Sequence, residues 1–369
     1  MIRRLRKGNW LFNGKNMRKT NKRIVIIKLI SLVTAAALSA CAPPEQGKMQ
    51  ECYQSGDVPA FYEAEKGNVT FRMEVEMPKE ALDCCLVEAK AVALKAKEEA
   101  VCSAFLEGKK TTIQEGKAVN ESGKKSRFAY YDGEDGLYVG VGPWSSCVSY
   151  RKGDGADILS ELSLETKYED YNGDRFLNGK QLSFASQEEV QQALMVLLEH
   201  LGISPEEYAC SVYTLDYESI GQGDWTKEDD SYYLALQQYY RGIPLYHVYF
   251  KIFDRYEDAN APVQAGWNAE GISRLDTELL FEISQEEEVS GVISFEAVTA
   301  SAAEKYNRLL GEWSYTFTNA SFYYMVDVRD GRKTFRVFPA WILTGYGEAD
   351  GQQTEIRIVV DATTGEEVV

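Results

Sequence analysis

The sequence predicts an α+β protein. A secretion segment precedes units that each pair a helix with an antiparallel sheet, at least two of them in the carboxy-terminal half. Three observations predict it. A basic leader without acidic residues runs into an apolar stretch too short to span a bilayer comfortably. Short alternating runs bounded by Gly, Pro and Asp read as strands. A helix followed by several strands occurs twice after residue 182. The 369 residues are 44% hydrophobic and 26% charged, so the chain has apolar material for a core and wholesale disorder is excluded.

The leader comes first. Residues 1–40 hold ten Lys or Arg and no Asp or Glu. Arg18, Lys19, Lys22 and Arg23 precede the apolar run Ile24–Ala40, which only Lys28 interrupts. The uncharged part, Leu29–Ala40, has the length of a signal-peptide core. It ends in Leu38-Ser39-Ala40-Cys41, which resembles the lipobox of bacterial lipoproteins at each of its four positions. That resemblance implies cleavage before Cys41 and a diacylglyceryl group on its thiol. The membrane, reached through this anchor, is therefore an expected partner, and the extracytoplasmic face of the cell membrane the expected location. Met17 is an alternative start that gives a signal peptide of ordinary length. Residues 41–67 read as a flexible tether. Beyond residue 40 the chain carries 30 basic against 57 acidic groups, a net −27 that phosphate backbones would repel, so nucleic acid is excluded as a partner.

Residues 68–150 read as an amino-terminal α+β region. Val69–Met77 alternates apolar and polar residues as a half-buried strand does, and Pro78 ends it. Residues 80–107, closed by Gly108, are rich in Ala, Lys and Glu and mostly helical, although the part before Ala93 fits an extended chain equally well. Residues 108–126 read as an exposed loop. Arg127–Val141 reads as a hairpin turning at Asp132–Gly136, and residues 151–181 as a linker.

The unit at 182–285 opens with Ser186-Gln187-Glu188-Glu189, which has the spacing of a capping box. Val190, Leu194, Leu197 and Leu201 then share one helical face, and Gly202 stops the helix. Strands are expected at 208–218, 231–240, 244–254 and 278–283. The unit at 291–369 repeats the layout: a helix over Ala297–Leu310, then strands near 314–328, 334–344 and 354–361. The turn Asp361-Ala362-Thr363-Thr364-Gly365 follows, where the Asp side chain can bond the next backbone amides.

These carboxy-terminal residues, Phe338-Pro339-Ala340-Trp341 and then Ile358-Val359-Val360-Asp361-Ala362-Thr363-Thr364-Gly365, resemble the pattern of PepSY-like domains. They are also similar to the YycH/YycI group of membrane-tethered regulators and to uncharacterised lipoproteins of Gram-positive bacteria. Tyr233–Pro244, with Arg241-Gly242-Ile243-Pro244, resembles the preceding unit of the same lipoproteins. The resemblance implies extracytoplasmic binding or regulation of a protein, peptide or sensor domain. It supplies no catalytic residue.

No catalytic constellation is found either. The chain lacks G-x-S-x-G and H-E-x-x-H, and its two His, His200 and His247, cannot build a zinc protease site. Neither a cofactor nor a metal is expected. Acidic runs such as Glu228-Asp229-Asp230 and Glu286-Glu287-Glu288 read as solvated faces. An envelope hydrolase using carboxylates distant in sequence is the alternative function. Cys52, Cys84, Cys85, Cys102, Cys147 and Cys210 remain once Cys41 is set aside. Disulfides and free thiols both fit, and spacing selects no pairing. Tyr232, Tyr233, Tyr239 and Tyr240, with Trp341, form the candidate binding set. They fit a tyrosine-rich binding face or simple cross-strand packing.

Overall fold

The computed structural model describes residues 49–119, 125–133, 138–142, 146–152, 176–220, 226–247, 261–309, 312–328 and 334–368. The signal segment, Cys41 and most of the expected 151–181 linker lie outside them. In chain order the elements begin with β1 (Met49–Gln50), β2 (Phe61–Lys66), β3 (Val69–Glu76), β4 (Val87–Ala93), α1 (Glu98–Leu106), β5 (Thr111–Val119), β6 (Lys125–Gly133), β7 (Tyr138–Val141) and β8 (Val148–Arg151). The middle of the chain gives α2 (Gln187–Leu201), β9 (Glu207–Leu215), α3 (Tyr217–Ile220), β10 (Ser231–Tyr240), β11 (Ile243–His247), β12 (Val263–Asn268), β13 (Gly271–Thr277) and β14 (Phe281–Glu288). The last elements are β15 (Val292–Ile293), α4 (Phe295–Asn307), β16 (Ser314–Asp327), β17 (Phe335–Ala349) and β18 (Gln352–Asp361). Among the described residues no helix is long and apolar enough to cross a membrane.

This architecture corrects the expected fold class. Strands dominate, and 16 of them are connected in one hydrogen-bonded sheet system rather than divided among helix-plus-antiparallel-sheet units. Among the described residues, pairings join stretches that lie far apart in the chain. β3, from the amino-terminal region, runs parallel to β16, with Phe71 opposite Phe317. β4 pairs with both β14 and β17. β8 pairs with β13. β11 leaves its hairpin with β10 and runs parallel to β16, so it joins the two halves of the system. The stretch expected as a tether carries β1, β2 and the fully buried Tyr53, and the loop expected at 108–126 contains β5 paired to β6.

Two cores follow from these pairings. One lies under α4 and takes Phe71, Met73, Phe317, Phe322, Trp341 and Val360 from β3, β16, β17 and β18. The other lies under α1 and α2 and takes Val139, Tyr150, Leu234, Ala265 and Leu275. α2 starts as its sequence predicts. The Ser186 side chain accepts from the Glu189 N–H, while Glu189 accepts from the Ser186 N–H at 2.8 Å, and left-handed Gly202 ends the helix. β17 shows how a proline survives in a central strand. Its neighbour is β4 up to Val337 and β18 from Ala340 onward. Pro339 falls in the gap between these two ladders, where its missing N–H costs no ladder bond, and its carbonyl accepts from Ala362 at 2.9 Å.

Candidate functional site: a thiol and phenol cluster at the sheet junction

The tyrosine hairpin faces inward. β10 is buried at each of its first four residues, so it has no solvent face there. Tyr232 is fully buried; its hydroxyl donates to the Ala185 carbonyl at 2.8 Å and accepts from the Leu182 N–H at 2.5 Å. Tyr233 packs with Phe176, Leu215 and Ile220. Tyr239 is half-buried, and Tyr240 is buried against Tyr324, ring centroids 5.2 Å apart. Trp341 is wholly enclosed by Tyr53, Phe295 and Phe322 at 6.0, 4.9 and 5.1 Å. Four of the five aromatic candidates are therefore interior and build the fold; they form no surface.

One end of that hairpin does reach solvent. Tyr240 and Ile243 close a two-residue turn in which Arg241 and Gly242 both have positive φ, 52° and 74°, as a type I′ turn requires. Gly242 is needed for space as well, because a Cβ there would lie 2.6 Å from Glu80 Cγ. Its N–H donates to Glu207 Oε2 at 2.8 Å. Beside this turn Tyr240 donates a short hydrogen bond to Glu286, and the Arg241 guanidinium stands 4.0 Å from the same carboxylate. Tyr324 accepts from the Val87 N–H at 3.2 Å.

Three of the expected cysteines converge here. Cys84 donates to the Glu80 carbonyl at 2.9 Å, and Cys52, Cys85, Asp83 and Arg241 all lie within electrostatic reach of its sulfur. Burial pushes the Cys84 thiol up; Arg241 pulls it down, and Cys52, Cys85 and Asp83 push it further up. Burial, then the hydrogen bond to Glu286, drives the Tyr240 phenol far above its ordinary value. Burial also raises Tyr324, against the opposing pull of the Val87 amide. At neutral pH the cluster therefore presents protonated donors beside an exposed Arg–Glu pair.

The other cysteines are apart from it. Cys102 lies half-buried on α1, and Cys147 on the segment entering β8. Cys210 lies on β9, where burial lifts its thiol to about 11. The acidic runs serve local structure. Asp229 caps the turn at Thr226, Asp230 accepts from the Tyr217 N–H at 2.7 Å, and Glu286 belongs to the cluster.

Sequence reasoning missed Arg241 and Tyr324 as neighbours of the Cys84 thiol, and Glu286 as the partner of Tyr240 and Arg241. Only Arg241 carried a local signal, since an arginine in a two-residue hairpin turn occupies a position that favours Asn, Asp or Gly.

No family model matches the chain, and no curated protein matches it. Among solved structures, the chain is similar to an uncharacterized protein from Eubacterium rectale, with 18% identity and a TM-score of 0.54 over 86% of this chain and 96% of that one. It is also similar to the YpeB C-terminal domain of Bacillus megaterium, with 11% identity and a TM-score of 0.26 over 74% of this chain and 96% of that one. The first likeness shows a shared fold.

Proposed function

We propose that the chain is a lipid-anchored protein of the extracytoplasmic face of a bacterial membrane, with PepSY-like character in its carboxy-terminal half. It binds a protein, peptide or sensor domain without transforming it. The observation that carries this reading is Leu38-Ser39-Ala40-Cys41 at the end of a basic, then apolar, leader. Two acyl chains at Cys41 hold a protein stably to a bilayer, where one is marginal. The net −27 of the remaining chain keeps it off anionic headgroups and leaves it facing solvent. The exposed Arg241–Glu286 pair at the junction supports a polar docking contact.

Metabolic labelling with an alkyne fatty acid, followed by membrane fractionation, tests the anchor. Wild-type protein takes up label and sediments with membranes, and Cys41→Ser does neither. Equal labelling of both overturns the anchor. Cross-linking in intact cells tests the binding role. A partner captured by wild type and lost on charge reversal at Arg241 and Glu286 supports it, and a capture pattern indifferent to both changes counts against it. Turnover of a cell-wall glycan, abolished by one Asp or Glu change, would install a hydrolase instead.

A further inference from the structure

Residues 52–54 lie alongside residues 81–83. Tyr53 and Leu82 form a parallel bridge, and the Asp83 N–H donates to the Tyr53 carbonyl at 2.8 Å. Cys52 is the residue before the bridged Tyr53, and it is close enough to Cys84 to perturb that thiol electrostatically. The chain then bends at Asp83, whose φ of 54° is left-handed. The bend returns the Cys84 sulfur to within 2.9 Å of the Glu80 carbonyl, on the turn that leads into the bridged Leu82. The neighbouring Cys85 is exposed, whereas Cys52 and Cys84 are half-buried.

We propose that Cys52 and Cys84 are an oxidation site whose product is a disulfide fastening residues 49–58 to the sheet junction. The co-reactant is a low-molecular-weight disulfide. One cysteine thiolate attacks a sulfur of that molecule, forms a mixed disulfide and expels one thiolate, which takes up a proton. The second cysteine attacks the mixed disulfide at the protein sulfur and expels the other thiolate, which is protonated likewise. Two protein thiols are oxidised, one small disulfide is reduced, and two small thiols leave. The bond joins the segment nearest Cys41 to the bend at Asp83, beside Arg241. A consequence for an anchored protein rests on the proposed lipidation, but the bond itself does not.

Full-length protein in detergent is incubated with oxidised glutathione, alkylated, digested and mapped by mass spectrometry. A linked Cys52–Cys84 peptide is expected, lost on reduction, absent in Cys52→Ser and retained in Cys85→Ser. Cleavage by added protease between Met49 and Phe61 slows on oxidation in wild type and not in Cys52→Ser. A bond from Cys52 to Cys85, or a vicinal Cys84–Cys85 bond, overturns the proposal. So does quantitative alkylation of Cys52 after oxidation. Because the protein is assayed outside the cell, a failure of lipidation at Cys41 leaves this result unaffected.

Discussion

Removing one oxygen atom from Tyr53 tests how the chain nearest Cys41 is held. Tyr53 is fully buried; its hydroxyl donates to the Ile293 carbonyl at 2.9 Å and accepts from Trp341 Nε1 at 2.9 Å. Tyr53→Phe keeps the ring and its edge-on contacts with Phe322 and Trp341. What it takes away is the acceptor for a buried indole N–H and a donor to a buried carbonyl. An orphaned buried donor costs about 1–3 kcal/mol and a lost neutral hydrogen bond about 1 kcal/mol, so the expected loss is about 2–4 kcal/mol. Trp341→Phe removes the orphan as well as the bond, so Tyr53→Phe in that background costs only the bond to Ile293. The cycle therefore predicts a coupling of about 1–3 kcal/mol. Urea unfolding followed by circular dichroism reads each term, with the slope unchanged. A cost for Tyr53→Phe below about 0.5 kcal/mol, or strictly additive single changes, refutes the reasoning.

The remaining predictions address other parts of the fold. Ser186→Ala breaks the capping box of α2 and lowers stability by about 1 kcal/mol in the same urea assay. Gly345→Ala puts a Cβ 2.0 Å from the Thr316 carbonyl oxygen and 2.7 Å from Phe317 Cα, backbone that cannot swing aside, and costs about 3 kcal/mol or more, read as a lower melting temperature. Burial raises the Cys210 thiol from 9.0 to about 11, so the folded state holds a proton that the unfolded chain has released. Its contribution is fully present below pH 9 and is lost as pH rises toward 11. Wild type should thus lose about 1–2 kcal/mol more across that window than Cys210→Val, measured by unfolding at each pH.

What was legible in the sequence was local. The capping box at Ser186, the left-handed stop at Gly202, the strand from Val69 and the Asp361 turn each depend on residues within a few positions. In that turn Asp361 Oδ1 accepts from the Thr363 and Thr364 amides at 2.8 and 3.2 Å. The partner of each strand was not legible. β3 looks the same whether it pairs with β4 or with β16, some 240 residues away, because period-two alternation reports a buried face and not the neighbour that buries it. β12 and β13 escaped because Gly266, Trp267 and Asn268 interrupt alternation at a register shift. The tyrosines of β10 signalled a strand correctly. Their burial on both faces depends on α2 and on the Phe176 cluster, which periodicity within the strand does not reveal.

Backbone strain marks the same place that the thiols do. Among the described residues four non-glycine positions have positive φ: Asp83, Arg241, Gln285 and Asp350. Asp350 belongs to a surface hairpin with Gly351, where Asp is a favoured residue and the cost is small. The other three meet at one junction. Asp83 precedes the half-buried Cys84, Arg241 faces Glu286, and Gln285 adjoins Glu286 and accepts from Lys90 Nζ at 2.7 Å. Left-handed backbone costs about 1–2 kcal/mol at a residue with a Cβ, so the three together oppose folding by a few kcal/mol. Stability alone would place Asn or Gly at these positions. These positions instead turn Cys84 back to the Glu80 carbonyl and hold the Arg241 guanidinium 4.0 Å from the Glu286 carboxylate at the surface. Outliers gathered around exposed charge and three cysteines make this junction, rather than the buried tyrosine ladder, the place at which the proposed binding role is to be tested.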